Sequence, residues 1–301
     1  MKIFAFVKKE IKESYTGWLF ALPLVIGLAV FTFYPIVMSL IYSFHDFDGF
    51  KRFDPVGFGN YSRLFASDRE IWKVLLNTGV FAVISVPLIL ITSYLLAVLV
   101  NRKMGGTSFF RLMYYLPVVI PSVVSGVIWK DILNPSQGAF NTILSALGLP
   151  GSTFLSASST SMFTVILMGM WGIGGSMILW LAALKNIPEQ LYESARLEGA
   201  GIFRLLIHIT IPMSTSMIFY NLIMGLIGAL QTNATLVYAP RDGRGIDNSI
   251  YFVCVKIYRE AFVRFDMGYA SALAWILFLV IGLLTATIFA TSKWVFYGEE
   301  S

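Results

Sequence analysis

Along this chain, long apolar runs alternate with shorter polar or aromatic stretches. The runs are continuous and show no in-out alternation with a period of two. Six of them approach or exceed the roughly 20 residues that carry a helix across a ~30 Å hydrocarbon layer. They are Trp18–Ser43, Thr78–Val100, Leu112–Trp129, Met162–Leu184, Ser214–Leu236 and Leu273–Trp294. The third is the shortest, and Pro117 and Pro121 inside it predict a kink or an early break, because proline has no N–H and its ring crowds the preceding turn. Pro23 and Pro35 interrupt the first run and Pro87 the second, while Gly169, Gly172, Gly174 and Gly175 crowd the fourth. Small residues of that kind let membrane helices approach closely. The expected fold class is all-α: a polytopic membrane protein with six transmembrane helices, since helices satisfy their own backbone groups in lipid.

Composition agrees. Hydrophobic residues make up 57% of the 301 positions and charged residues 13%, against about 25% charged in soluble domains; the mean hydropathy is +0.74. The net charge of +5 would point to nucleic acid in a soluble protein. Here the basic residues flank membrane spans, so membrane lipid and topology account for them and no nucleic-acid partner is expected. The first apolar run is too long, and lacks the small-residue pattern, for a cleaved signal. The single cysteine, Cys254, allows no intrachain disulfide or cysteine-cluster metal site and fits an ordinary apolar position; two histidines, His45 and His208, are too few for a metal site. With the N-terminus inside, Lys and Arg divide evenly, 11 on each side. Short loops and the flank of the first helix weigh most. Lys2, Lys8, Lys9 and Lys12 precede the first span, and Arg102, Lys103 and Arg111 crowd a short acid-free loop. Both termini are therefore expected in the cytoplasm of a prokaryotic cell, with the chain in its plasma (inner) membrane.

Two outer segments are more than connectors. Residues 44–77 are rich in aromatics (Phe47, Phe50, Phe53, Phe58, Tyr61, Phe65, Trp72) with balanced charges, as expected of a stretch lying along the membrane interface. Residues 247–267 predict an amphipathic helix with Ile250, Val253, Cys254, Ile257, Tyr258 and Ala261 along one side and Lys256, Arg259, Glu260 and Arg264 on or near the other. An interfacial or subunit-packing helix is the expected role, and a surface receiving a soluble partner the sharper alternative.

Between the fourth and fifth spans lies a charged hairpin, Asn186–Pro212, that a mere connector would not need. Pro188 suits a first helical turn, and Glu189 puts negative charge at the positive end of that helix. Glu193, Ser194 and Ala195 form a slim face, Gly199-Ala200-Gly201 allows reversal of the backbone, and Ile202, Phe203, Leu206 and Ile209 start a second helix ending near Pro212. A helical linker on the membrane surface meets the same spacing.

The segment resembles the EAA loop of binding-protein-dependent ABC importer permeases, in the sugar branch of the maltose, lactose and glycerol-phosphate systems. Glu193-Ser194-Ala195 stands where that family has Glu-Ala-Ala, and Gly199 is its glycine four residues on; Glu198 replaces the usual aspartate. Tyr114–Pro121, Ile128-Trp129-Lys130, Leu133-Asn134-Pro135 and Phe265–Trp275 also match, so the likeness covers most of residues 18–298. The family's glycine-rich turn after the fifth span is here Ala239–Gly245. The resemblance implies a type I ABC importer permease fold and a non-enzymatic subunit. Its domains are residues 1–72 (tail, first helix and outer loop), 73–292 (transmembrane core, EAA loop at 186–212) and 293–301 (tail). Implied partners are a second homologous permease, an ABC ATPase dimer and an extracellular sugar-binding protein. The chain itself binds no cofactor, and ATP and Mg belong to the ATPase. Glu193, Ser194, Ala195, Glu198, Gly199, Ala200 and Gly201 are its implied coupling residues.

No span carries an acid away from its ends, which argues against a proton- or sodium-coupled carrier. A neutral polyhydroxylated ligand needs amides, hydroxyls, carbonyls at glycines and aromatic faces. The fifth span offers Asn221, Met224, Gly228, Gln231 and Asn233, with Met224, Gly228, Gln231 and Thr235 along one stripe; the fourth offers Trp171, Gly172 and Gly175. The maltose-type relatives place sugar contacts in these two regions. Helix-to-helix hydrogen bonding explains such amides equally well. A passive channel or secondary carrier is the alternative function. An intramembrane serine hydrolase built on Ser176 is further off, because both histidines lie outside the spans. The chain has no Gly-Lys dipeptide and hence no phosphate-binding Walker loop. Which sugar is carried stays open, although the absence of an intramembrane cation disfavours an anion.

Overall fold

The computed structural model describes residues 15–101 and 106–295. Lys2, Lys8, Lys9, Lys12, Arg102 and Lys103, which set the expected orientation, lie outside the described residues. In chain order come α1 (Gly17–Ser43), a hairpin of β1 (His45–Phe47) and β2 (Phe53–Pro55), α2 (Gly59–Ala66), and α3 (Ile71–Val100). Next are α4 (Thr107–Val119), α5 (Ser122–Ile132), α6 (Ala139–Ala146), α7 (Ser158–Met170), and α8 (Gly174–Lys185). The hairpin follows as α9 (Glu189–Leu197) and α10 (Ile202–Met213), then α11 (Thr215–Leu230), α12 (Thr235–Tyr238), α13 (Val253–Phe262) and α14 (Met267–Ala290).

Among the described residues, α1, α3 and α14 are each long and apolar enough to span a membrane alone. Three bent pairs complete six candidate spans: α4 with α5 at 100°, α7 with α8 at 46°, and α10 with α11 at 68°. The first bend falls between Pro117 and Ser122, as the two prolines predict. α1 and α10 each carry a different irregularity. There a π-helical turn, Ala29–Phe33 or Leu206–Thr210, comes two residues before Pro35 or Pro212. The residue just before each proline donates to the carbonyl five positions back (Tyr34 to Ala29, Ile211 to Leu206), so the extra residue absorbs the proline ring.

Some boundaries differ from expectation. α3 begins at Ile71 rather than Thr78, because the Asp68 carboxylate takes the Glu70 N–H at 2.9 Å and starts the helix early. α11 ends at Leu230, short of Leu236, with Gln231 as its C-cap. α14 starts at Met267 and stops at Ala290, before Trp294.

The chain divides into two compact units. One holds residues up to Ser67 together with Arg259–Trp275. In it β1 and β2 pair antiparallel with Asp46 opposite Asp54. Asp48 closes the turn by accepting the N–H groups of Phe50, Lys51 and Arg52 at 2.8–3.1 Å. Those bonds, that to Phe50 foremost, hold its carboxyl below the usual aspartate range. Asn60 on α2 ties down the end of α1 through the carbonyls of Ser43 (3.0 Å) and His45 (2.9 Å), and Arg63 bonds Asp266 at 2.6 Å while lying over the Tyr269 ring. Desolvation opposes that guanidinium charge, but the Asp266 bond and the charges of Asp266, Tyr269 and Glu260 together raise its pKa.

The second unit holds Asp68–Tyr258 and the residues from Ile276 on. Here α3 is the central post, packing against α8 and α11. It feeds two apolar clusters. One gathers Val74, Phe81 and Val86 with Ile166, Leu230, Ile250, Tyr251 and Phe252. The other gathers Tyr94, Ala97 and Val100 with Met177, Trp180, Leu184 and Ile187. In the latter the Trp180 Nε1–H donates to Ser93 Oγ at 3.0 Å, and its ring meets Tyr94 edge-on. At Gly174 any Cβ would overlap the Tyr114 carbonyl, so this glycine sets how closely α8 approaches α4. Arg111 caps α3 by donating to the Val100 carbonyl at 3.1 Å, where the helix dipole is negative.

Candidate functional site

The hairpin is built outward from the second cluster. Ile187 is buried in it, Pro188 caps α9, and Glu189 occupies the first turn. The end of α9 is a Schellman motif: the Ala200 N–H bonds the Ala195 carbonyl at 2.9 Å and the Gly199 N–H bonds the Arg196 carbonyl at 3.0 Å. That motif needs a left-handed residue at position 199, and Gly199 has φ +84°. Gly201 is different, since its φ of −75° and ψ of 170° are open to any residue. The Tyr192 hydroxyl meets Thr210 Oγ1 at 3.1 Å and ties α9 to α10.

All seven residues expected at the coupling surface share this hairpin. Glu193, Ser194, Glu198, Gly199 and Gly201 are exposed, and Ala195 and Ala200 half-buried. Beside them stand apolar side chains that sequence reasoning had not singled out as surface: Leu197 is 90% exposed, Phe203 80% and Ile202 62%. Exposed hydrophobes clustered at one turn need a cover, of lipid or of another protein.

Farther along α3 lies a cavity of about 490 Å³ walled by α3, α8 and α11. Its polar lining is Ser85, Ser93, Ser176, Tyr220, Asn221 and Thr232, and none of its lining residues is charged. Of the pathway candidates, Gly175, Met224 and Gly228 line it. Trp171 and Gly172 sit instead at the break between α7 and α8, with the Trp171 ring edge-on to Trp129 at 5.3 Å. Gln231 and Asn233 are exposed beyond the end of α11, so the stripe from Met224 to Thr235 does not continue. The contribution of α3 was missed. Its signal was a row four residues apart, Phe81, Ser85, Ile89 and Ser93.

The opposite end of α3 grips the turn before α13. Lys256, only 1% exposed, reaches Asp68 at 2.9 Å and Glu70 at 3.4 Å. Asn77 Nδ2 donates to the carbonyls of Asn248 (2.7 Å) and Tyr251 (3.3 Å), Thr78 Oγ1 accepts the Val253 N–H at 3.0 Å, and Lys73 donates to the Asp247 carbonyl. Arg241, Asp242, Asp247 and Asn248 all take positive φ in this turn. The charged side of α13 is not wet as expected: Lys256, Arg259 and Glu260 are all buried. Burial also pushes the Cys254 thiol up to about 11.

No protein-family profile matches the chain. Curated relatives do. The probable ABC transporter permease protein YesP of Bacillus subtilis (strain 168) is 34% identical over 293 residues, covering 96% of this chain and 94% of its own. The chain belongs to the ABC transporter permease family. Among the permease's other relatives, the diacetylchitobiose uptake system permease protein NgcF of Streptomyces coelicolor is 31% identical, over 90% of this chain and 80% of that protein. Its relatives are thus permeases of sugar transport systems, which are transporter subunits rather than enzymes. For the fold, a chain in the crystal structure of a bacterial alginate ABC transporter, in complex with an alginate pentasaccharide-bound periplasmic protein, matches with a TM-score of 0.85. The two are 22% identical, over 95% of this permease and 96% of that chain. The permease therefore has the ABC importer permease fold, with helices long and apolar enough for up to six membrane spans.

Proposed function

We propose that this permease forms half of the solute pathway of an ATP-driven sugar importer and is moved by a separate ATPase through its 186–212 hairpin. In this reading a second homologous permease supplies the other half and an extracellular sugar-binding protein delivers the solute. An ABC ATPase dimer, holding ATP and Mg, grips Glu193–Gly201. The chain lies in a prokaryotic inner membrane with both termini and the hairpin in the cytoplasm.

The observation that carries the proposal is the hairpin tip. Its base is locked into the core by Ile187 and Tyr192, yet Leu197, Ile202 and Phe203 stand in the open beside the slim Glu193-Ser194-Ala195 face. Such a tip transmits force into α8 and α11, the walls of the cavity. Swinging a two-state gate from 1:99 to 99:1 takes about 5.5 kcal/mol of differential binding, a demand that nucleotide-driven closure of an ATPase can meet. The uncharged, hydroxyl-lined cavity supports a neutral polyhydroxylated solute over an ionic one, and the sugar-system relatives support the same class.

Gly199→Asp tests the coupling. The variant is expected to insert and accumulate as wild type while ATP-dependent uptake in vesicles is lost. Wild-type uptake by that variant would remove the hairpin from the mechanism.

A further inference from the structure

One hydroxyl of the second span is set apart from the others. α3 carries four aliphatic hydroxyls, and three of them bond the preceding turn in the ordinary way: Thr78 to the Val74 carbonyl (2.8 Å), Thr92 to that of Leu88 (2.6 Å) and Ser93 to that of Leu90 (3.2 Å). Ser85 does not. It is 1% exposed, its Oγ has no hydrogen-bond partner, and it lines the cavity. Buried hydroxyls are nearly always bonded, because an unpaired one loses its water without replacement. Packing alone offers no reason for it, since alanine would fill the same place without stranding a polar atom. A hydroxyl kept unpaired on the wall of a cavity free of charged residues suits a ligand that brings both donor and acceptor. The neighbouring Asn221 has its Nδ2 committed to the Met217 carbonyl at 3.0 Å, and Ser93 is committed to Trp180, so Ser85 retains a hydrogen-bonding capacity that they have partly spent.

We propose that Ser85 is a solute-contacting residue: its hydroxyl exchanges a hydrogen bond with a hydroxyl of the transported saccharide, which makes α3 a wall of the binding site alongside α8 and α11. The proposal rests on the cavity being part of the pathway. The test uses the complete importer in vesicles, with Cys254→Ala as background. Ser85→Cys and Ser176→Cys are treated with the water-borne reagent 2-sulfonatoethyl methanethiosulfonate, with and without ATP and vanadate. Uptake of tritiated maltose, lactose and diacetylchitobiose is followed in parallel. Ser85→Cys is expected to be labelled in at least one nucleotide state, with uptake blocked once it is. Ser85→Ala is expected to slow uptake of the carried disaccharide about 3–10-fold, the loss of one neutral hydrogen bond. Labelling of Ser176→Cys alone in both states, or unchanged uptake by Ser85→Ala, overturns the role of Ser85 and leaves the cavity as pathway. Failure of both cysteines to label overturns the pathway reading itself.

Discussion

The two ends of α3 are built on opposite terms. At one, an apolar cluster around Trp180 and Ile187 supports a hairpin whose tip leaves large hydrophobes uncovered. At the other, a turn with four non-glycine residues at positive φ is tied inward by Lys256, Asp68, Glu70, Asn77 and Thr78. Strained backbone persists only where its surroundings over-determine it, so the turn before α13 is held still. The hairpin is firmly rooted and open at its tip, which is what a part gripped from outside requires. On the proposed function, one end stays in place and the other is moved.

The comparison breaks most severely at Lys256. Lys256→Met removes the buried ammonium that Asp68 and Glu70 share, and about 3 kcal/mol of stability should go with it. The readout is a lower thermal midpoint and poorer yield of the detergent-solubilised permease, with the hairpin's sequence untouched. An unchanged midpoint would show that the clamp is ornamental.

At the hairpin a finer contrast is available. Gly199→Ala forces a side chain into the left-handed cap of α9 and should cost roughly 1–2 kcal/mol locally, seen as faster amide exchange across α9. Gly201→Ala, at an extended backbone position with open space where its Cβ would stand, should change nothing measurable. Equal effects of the two would contradict the Schellman reading. The smallest effect is expected at Cys254. Its thiol pKa is pushed up to about 11, so the reactive thiolate is scarce at pH 8. N-ethylmaleimide should therefore label the folded permease slowly and the denatured chain fast, and the gap should narrow as the pH rises toward 11.

How far the sequence could be read follows from how local each feature is. The apolar runs and the break at Pro117 and Pro121 were legible because helix length and a missing N–H are properties of neighbours. So was the hairpin, since Gly199 stands four residues after Ala195 in one helical turn. The early end of α11 was not: Gln231-Thr232-Asn233 contains neither proline nor glycine to announce a stop. The buried Lys256 of α13 was misread because its partners, Asp68 and Glu70, lie nearly two hundred residues earlier in the chain. Ser85 looked like any small residue of a membrane helix, because the lack of a hydrogen-bond partner is visible only in three dimensions.

The most direct measurement places a photo-cross-linking benzoylphenylalanine at Leu197, the most exposed hydrophobe of the hairpin, in membranes of cells making the whole importer. Irradiation is predicted to join the permease to its ATPase, with a yield that changes when ATP and vanadate are added. Cross-links to lipid alone, or to nothing, would contradict the claim that the hairpin is the point where the motor takes hold.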